Sequence, residues 1–261
     1  MDEVLLVIPA RLGSTRLPGK PLAKIAGKTM IERVWRIAKA VKHAARVVIA
    51  SDSEKIRDHA ESFGAEVVLT AADCRTGTDR VAEVVRQLPQ YGIIFNFQGD
   101  SPLMPPWIID DVLKIISDNS DVVLATPIVR LTGRCLIDFL GAKARGSATG
   151  TTVTFDKDGD ALYFSKGVIP FNRSAMGDDA LLFQHLGLYT YRRETLFRLQ
   201  KLPSGRFEEV EKLEQLRALE NGIPIRTVTV ETRGRTIASV DAPEDIPYVE
   251  SIIKKEGELI P

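Results

Sequence analysis

Val4-Leu5-Leu6-Val7-Ile8-Pro9-Ala10-Arg11-Leu12-Gly13-Ser14-Thr15-Arg16-Leu17-Pro18-Gly19-Lys20-Pro21 is the stretch from which the fold can be read. Its first five residues are apolar in succession, which suits a strand buried on both faces, as a parallel sheet requires. The loop that follows carries glycines, prolines and cations. Beyond it, Met30, Ile31, Val34, Trp35, Ile37, Ala38 and Val41 fall on one arc at 3.6 residues per turn, so a helix is expected. Strand, loop, helix: this is the first unit of an α/β fold.

The pattern repeats outward. Arg46–Ala50, Glu66–Leu69, Ile93–Phe97 and Val122–Thr126 read as further strands, and Glu54–Phe63, Asp79–Leu88 and Trp107–Ile116 as the helices between them. Ser53 and Thr78 are expected N-caps. This alternation predicts a doubly wound, mostly parallel α/β sheet with right-handed crossovers. After Pro127 the alternation stops. Thr151–Phe155 and Ala161–Phe164 flank Asp156-Lys157-Asp158-Gly159-Asp160 and read as a β-hairpin. Leu186–Tyr191, Ile225–Val230 and Thr236–Val240 are expected strands. Glu208–Glu220 is an expected helix, placing Glu211, Glu214, Gln215 and Ala218 on one face; another begins near Pro243, capped by Asp241 or Ala242. Residues 1–261 thus read as a single domain, with 128–206 as a β-rich insertion.

Composition narrows the class. Lys plus Arg and Asp plus Glu both number 35, so no global charge points to nucleic acid or a membrane surface. The segment Val4–Ile31 nevertheless holds five cations, Arg11, Arg16, Lys20, Lys24 and Lys28, and no acidic residue, which points to an anionic ligand there. Two cysteines, Cys74 and Cys135, have neither disulfide-framework nor metal spacing. No secretory signal or membrane span is read at the N-terminus, and a cytoplasmic location is expected.

Three places carry chemistry. The loop after the first strand lies where ligands of open α/β sheets sit, outside the strands' carboxyl ends. Gly13 and Gly19 let backbone approach a ligand, Ser14 and Thr15 add hydroxyls, and Arg11, Arg16 and Lys20 supply charge suited to a triphosphate. The spacing is neither a Walker A loop nor a dinucleotide fingerprint. A solvated basic turn is the plain alternative. Asp100, in Gln98-Gly99-Asp100 at the end of another strand, is a hard oxygen ligand suited to Mg²⁺. Asp241, in Val240-Asp241-Ala242-Pro243, has the same form and could share the metal, although such a residue alone is more often a helix cap. Asp156, Asp158 and Asp160 begin like a Ca²⁺ loop, but Ala161 and Gly167 stand where Gly and Glu belong, so a hairpin turn is the better reading.

Seven blocks, in order, resemble the 3-deoxy-manno-octulosonate (KDO) cytidylyltransferases, or CMP-KDO synthetases. They are the loop at 8–21, Thr76-Gly77-Thr78-Asp79-Arg80, Gln98-Gly99-Asp100, Ala161-Leu162-Tyr163-Phe164-Ser165, His185-Leu186-Gly187-Leu188-Tyr189, Lys212-Leu213-Glu214-Gln215-Leu216-Arg217 and Val240-Asp241-Ala242-Pro243-Glu244-Asp245. The resemblance implies a nucleotide-diphospho-sugar transferase-like fold. It also implies an enzyme that joins CTP and a 2-keto sugar acid, giving CMP-KDO and pyrophosphate for lipopolysaccharide or capsule synthesis. By the same resemblance, Arg11, Lys20 and Asp100 would be catalytic. Pro9, Ala10, Arg11, Ser14, Lys20, Thr76, Gly77, Arg80 and Gln98 would bind the nucleotide. Gln98, Arg173, His185, Tyr189, Glu214 and Gln215 would hold the sugar acid, and Asp100 and Asp241 the Mg²⁺ cofactor. A homodimer built through the 128–206 arm is implied as well.

The chain departs from the family pattern at Lys166, where Arg is usual, at Ser101, where Glu is more frequent, and across Asp138–Thr152. Leu202-Pro203-Ser204-Gly205-Arg206-Phe207 resembles the subgroup acting on 8-amino-KDO. The alternatives are therefore a related sugar acid and, in another class, a nucleotide-sugar sensor without catalysis. A glycosyltransferase on the same fold would release no pyrophosphate.

Overall fold

The computed structural model describes residues 3–14, 16–173 and 180–260. Strand β1 (Val4–Ala10) lies in the parallel half of a ten-stranded sheet. Leu6 and Ile8 point to one face, against Ile31, Val34 and Ile108. Leu5 and Val7 point to the other, against Val81, Val84 and Leu216. Both faces are covered, so successive residues must all be apolar.

The chain then runs through β2 (Lys24–Ile25), β3 (Lys28–Thr29), α1 (Met30–Lys39), β4 (Arg46–Ser51), α2 (Glu54–Glu61) and β5 (Val67–Leu69). It continues through α3 (Gly77–Gln87), β6 (Ile93–Asn96), α4 (Pro106–Asp118) and β7 (Leu124–Arg130). Strands β5, β4, β1 and β6 are parallel neighbours in that order, with Val7 beside both Val48 and Asn96. The parallel core is as the sequence leads one to expect. Ser53 caps α2 by accepting from Ile56 N. The cap of α3 is Thr76, not Thr78: Thr76 Oγ1 accepts from Asp79 N at 3.1 Å.

Beyond β7 lie α5 (Gly133–Ala144), β8 (Thr151–Phe155), β9 (Ala161–Ser165), β10 (Phe183–His185), β11 (Tyr189–Arg192) and α6 (Arg193–Lys201). The segment 128–206 thus holds two helices besides its strands. The β8–β9 hairpin forms as expected, its turn closed by Asp156 Oδ1 accepting from Asp158 N and Asp160 N, both at 2.9 Å. The expected strand 186–191 is divided. Its second half, β11, is inserted antiparallel between β6 and β7, while β10 joins β7 to β8. The sheet is therefore mixed.

The chain closes with α7 (Arg206–Glu211), α8 (Gln215–Glu220), β12 (Arg226–Thr229) and α9 (Asp245–Glu256). A continuous 208–220 helix does not form, because Lys212 adopts left-handed backbone (φ 55°) and breaks it. Residues 236–240 form no strand; they run irregularly to α9, whose N-cap is Glu244 rather than Asp241 or Ala242.

The tail is pinned to this frame. Arg33, 5% exposed, donates to Ile25 O at 2.7 Å, Ala26 O at 3.0 Å and Glu258 at 2.7 Å. That guanidinium holds the Glu258 carboxyl below its ordinary value. A depressed carboxyl contributes stability that is complete above the unfolded value and lost as pH falls through the folded one. Thermal unfolding from pH 7 to 3 should show Glu258→Gln melting below the native chain at pH 7, with the gap closing below about pH 4. A gap independent of pH would contradict this.

Candidate active site

The cleft opens at the carboxyl ends of β1 and β6, beside the N-terminus of α3, and encloses about 280 Å³. Its floor depends on two glycines. Gly19 sits at φ 69°, the left-handed turn from which the 3₁₀ turn Lys20–Leu22 starts, and so sets where Lys20 points. Gly99 lets the loop after β6 press on the loop after β1: a Cβ there would lie 2.7 Å from Pro9 O.

Lys20 is the centre. Its Nζ, on a side chain 14% exposed, reaches Asp100 Oδ2 at 2.9 Å and Asp241 Oδ1 at 3.2 Å. Arg16 adds a contact to Asp241 at 3.1 Å. Asp100 is carried at the end of β6, and its carbonyl accepts from Val240 N at 2.9 Å, which draws Asp241 alongside. Asp241 is not spent as a cap. The Asp245 carboxylate instead ties down the chain ahead of α9, accepting from Asp241 N at 2.7 Å and Ala242 N at 2.8 Å, and the Asp241 carboxylate faces the cleft. Two carboxylates held on one lysine are hard oxygen donors of the kind that would suit Mg²⁺, an ion that usually takes one or two carboxylates together with phosphate and water. Among the described residues, no group of three or more His, Cys, Asp or Glu side chains gathers to hold a metal.

Pro9, Ala10, Arg11, Ser14, Thr76, Gly77, Arg80 and Gln98 all line the same cleft, so the structure brings together every residue expected on the nucleotide side. Arg80 is buried, paired with Asp52 at 3.3 Å and hydrogen-bonded to Thr70. Arg11 is exposed and has no ion pair among the described residues, leaving its charge available to a ligand.

The residues expected on the sugar side converge less completely. His185 and Tyr189 have ring centroids 5.4 Å apart. The Thr126 hydroxyl gives its one proton to Leu188 O at 2.6 Å, so His185 Nε2 must be the donor to Thr126 Oγ1 at 2.8 Å. Burial pushes His185 down to about 3, and the ring is neutral, with its lone pair at Nδ1. Glu214 accepts from Thr78 Oγ1 at 3.1 Å, and burial raises its carboxyl. Gln215 is 5% exposed, and its Nε2 has no hydrogen-bond partner among the described residues. Arg173 is exposed beside 174–179, which lie outside the described residues, and of the residues expected on the sugar side only Gln98 lines the cleft; Arg173, His185, Tyr189, Glu214 and Gln215 do not.

Sequence reading missed Asn96, Thr78 as a side-chain donor, and Cys74. Asn96 is fully buried, and its Oδ1 accepts from Gln98 Nε2 at 3.1 Å; a lone amide in the apolar run Ile93–Phe97 was the available signal. Cys74 lines the cleft, its thiol pushed up to about 11 by burial and by its hydrogen bond to Glu83, and it stays protonated.

A cleft in which Lys20 and Arg16 meet the paired carboxylates Asp100 and Asp241 suits the chemistry of nucleotide transfer, and residues 5–227 match the cytidylyltransferase family. The 3-deoxy-manno-octulosonate cytidylyltransferase of Maricaulis maris is 53% identical over 259 residues, covering 99% of this chain and all of that one. The 8-amino-3,8-dideoxy-manno-octulosonate cytidylyltransferase of Shewanella sediminis is 39% identical, over 95% of this chain and 98% of that one. A solved CMP:2-keto-3-deoxy-manno-octonic acid synthetase complexed with CTP superposes with TM-score 0.86 at 34% identity, covering 97% and 99%. The chain belongs to the CMP-KDO synthetase family.

Gly99→Ala should weaken CTP binding by about tenfold or more, because separating the two loops by even a fraction of an ångström misplaces the cleft. Calorimetric titration checks this, and unaltered affinity would show that the contact with Pro9 O does not shape the site.

Proposed function

We propose that this chain makes CMP-KDO and pyrophosphate from CTP and KDO in the cleft between the loop at 8–21, Asp100 and Asp241. The convergence of Lys20, Asp100 and Asp241 on one point carries this reading. The anomeric hydroxyl of the sugar acid attacks the α-phosphorus. Its oxygen–phosphorus bond forms as the bond to the β-phosphate oxygen breaks, and the hydroxyl proton leaves to solvent. Arg11, Lys20 and Ser14 bind the triphosphate, and the two cations stabilise the departing pyrophosphate. Thr76, Gly77 and Arg80 form the base side. Asp100 and Asp241 would hold Mg²⁺, which would supply charge neutralisation at the phosphates. Catalysis is mostly positioning and electrostatics.

On the sugar side, Gln98, Tyr189, Glu214 and Gln215 meet hydroxyls, and neutral His185 accepts at Nδ1. Arg173 takes the carboxylate. A non-catalytic sensor would not need both carboxylates on one lysine. A cytoplasmic location is part of this proposal, supported by two cysteines that are free thiols; among the described residues, no helix is long and apolar enough to cross a membrane.

Pyrophosphate release across CTP, UTP and ATP, with KDO, 8-amino-KDO and other 2-keto acids, tests the reaction. CTP with KDO should be the productive pair. No turnover with CTP and any acid would sink the enzymatic reading, and preference for the 8-amino acid would replace the substrate. Asp100→Ala should lower turnover by about a hundredfold or more in a folded protein.

The 128–206 arm is proposed to build a homodimer. Ile137, Leu162, Phe171 and Leu181 are large apolar side chains exposed within it, which favours burial against a second copy. Ile137→Asp should shift sedimentation from dimer toward monomer; a native chain that sediments as a monomer would overturn the assembly.

A further inference from the structure

Thr78 stands one residue beyond the nucleotide-lining pair Thr76 and Gly77, in the first turn of α3. A threonine at a helix start usually turns its hydroxyl to the helix's own backbone. Here Thr76 does that, accepting from Asp79 N, and the Thr78 hydroxyl is released for partners far along the chain, donating to the Glu214 carboxylate, 136 residues away, at 3.1 Å and also meeting the Tyr191 hydroxyl. Thr78 is 4% exposed, so water does not substitute for it. The break at Lys212 separates α7 from α8 and leaves Glu214 at the start of α8, where it can reach α3.

We propose that Thr78 is a positioning residue: from the same helical turn that lines the nucleotide cleft, it fixes the Glu214 carboxylate for the sugar acid. The inference rests on the proposed role of Glu214 in holding that acid. With Oε2 tied to Thr78, Oε1 is left as an oriented acceptor for a sugar hydroxyl.

The charged and titratable groups facing Glu214 are Arg217 on its own helix, Glu208 on α7, Asp79 on α3, and Tyr189 and Tyr191 on β11. Burial raises the Glu214 carboxyl, while Arg217 and the Thr78 hydroxyl favour its ionised form. Arg217 is itself committed to Glu208, at 2.8 and 2.5 Å. Removing the Thr78 hydroxyl therefore takes away the hydrogen bond that both aims the carboxylate and keeps it charged.

Thr78→Val keeps the shape and deletes the donor; Thr78→Ser keeps the donor. With purified enzyme and saturating co-substrate, Thr78→Val should raise KM for KDO about tenfold and leave KM for CTP within about twofold. The acid limb of kcat/KM for KDO should move to higher pH, because a carboxyl that loses a donor to its charged form protonates sooner on acidification. Thr78→Ser should restore both. An unchanged KM for KDO in Thr78→Val, failure of Thr78→Ser to restore it, or equal rises for both substrates would overturn the positioning role. Glu214→Gln, assayed in parallel, separates the two levels. If it leaves KM for KDO unaltered, the placement of Glu214 in the sugar site fails, and the role of Thr78 fails with it. If it raises KM while Thr78→Val does not, only the positioning role fails.

Discussion

One ammonium ties three separate pieces of chain together. Lys20 comes from the loop after β1, Asp100 from the end of β6, and Asp241 from the irregular run before α9. Two carboxylates brought to one point repel each other and resist ionisation unless a cation stands beside them. Lys20 supplies that cation, mostly shielded from water, and Arg16 reinforces it at Asp241. The cleft exists because these loops can meet. Gly99 removes the steric obstacle, and Lys20 removes the electrostatic one.

The proposed nucleotide and sugar sides are built differently. The nucleotide side sits on the parallel core, where strand ends and a helix N-terminus place backbone and cations with little freedom. The sugar side draws on β10, β11 and α8, all far in the chain from α3 and β6, and is joined to them by tertiary contacts such as Thr78 with Glu214. Neutral His185 belongs to this second kind of construction. Its protonation state is set by burial, and its tautomer by a threonine on β7 whose own proton is already given away.

That difference also explains what the sequence could disclose. Strands covered on both faces must be apolar at every position, so β1, β4, β6 and the helices between them show plainly in the residue pattern. The loop at 8–21 and Asp100 beyond β6 were legible because their chemistry is local. The break at Lys212 was not, since no glycine or proline marks it and nothing in the periodicity interrupts Glu208–Glu220. Thr76 and Thr78 were equally plausible caps by residue type; the one bound elsewhere is decided by Glu214, which no local window contains. Asp241 reads as a cap in sequence, yet the N-cap of α9 lies three residues later, at Glu244, and the Asp241 carboxylate is left for Lys20. Residues 236–240 have strand-like composition, yet they run as irregular chain to the cleft.

The insertion of β11 between β6 and β7 has a bearing on how the chain emerges from the ribosome. Tyr189 is the partner of Asn96, so one edge of β6 stays unpaired until almost a hundred more residues have been synthesised. During that interval the nascent chain presents an apolar strand edge of the kind that recruits other strands. The antiparallel lock is thus a late step, followed only by the pairing of β12 with β7. Slow translation before residue 192 would prolong the exposure, making the insertion the place where yield of folded protein is won or lost.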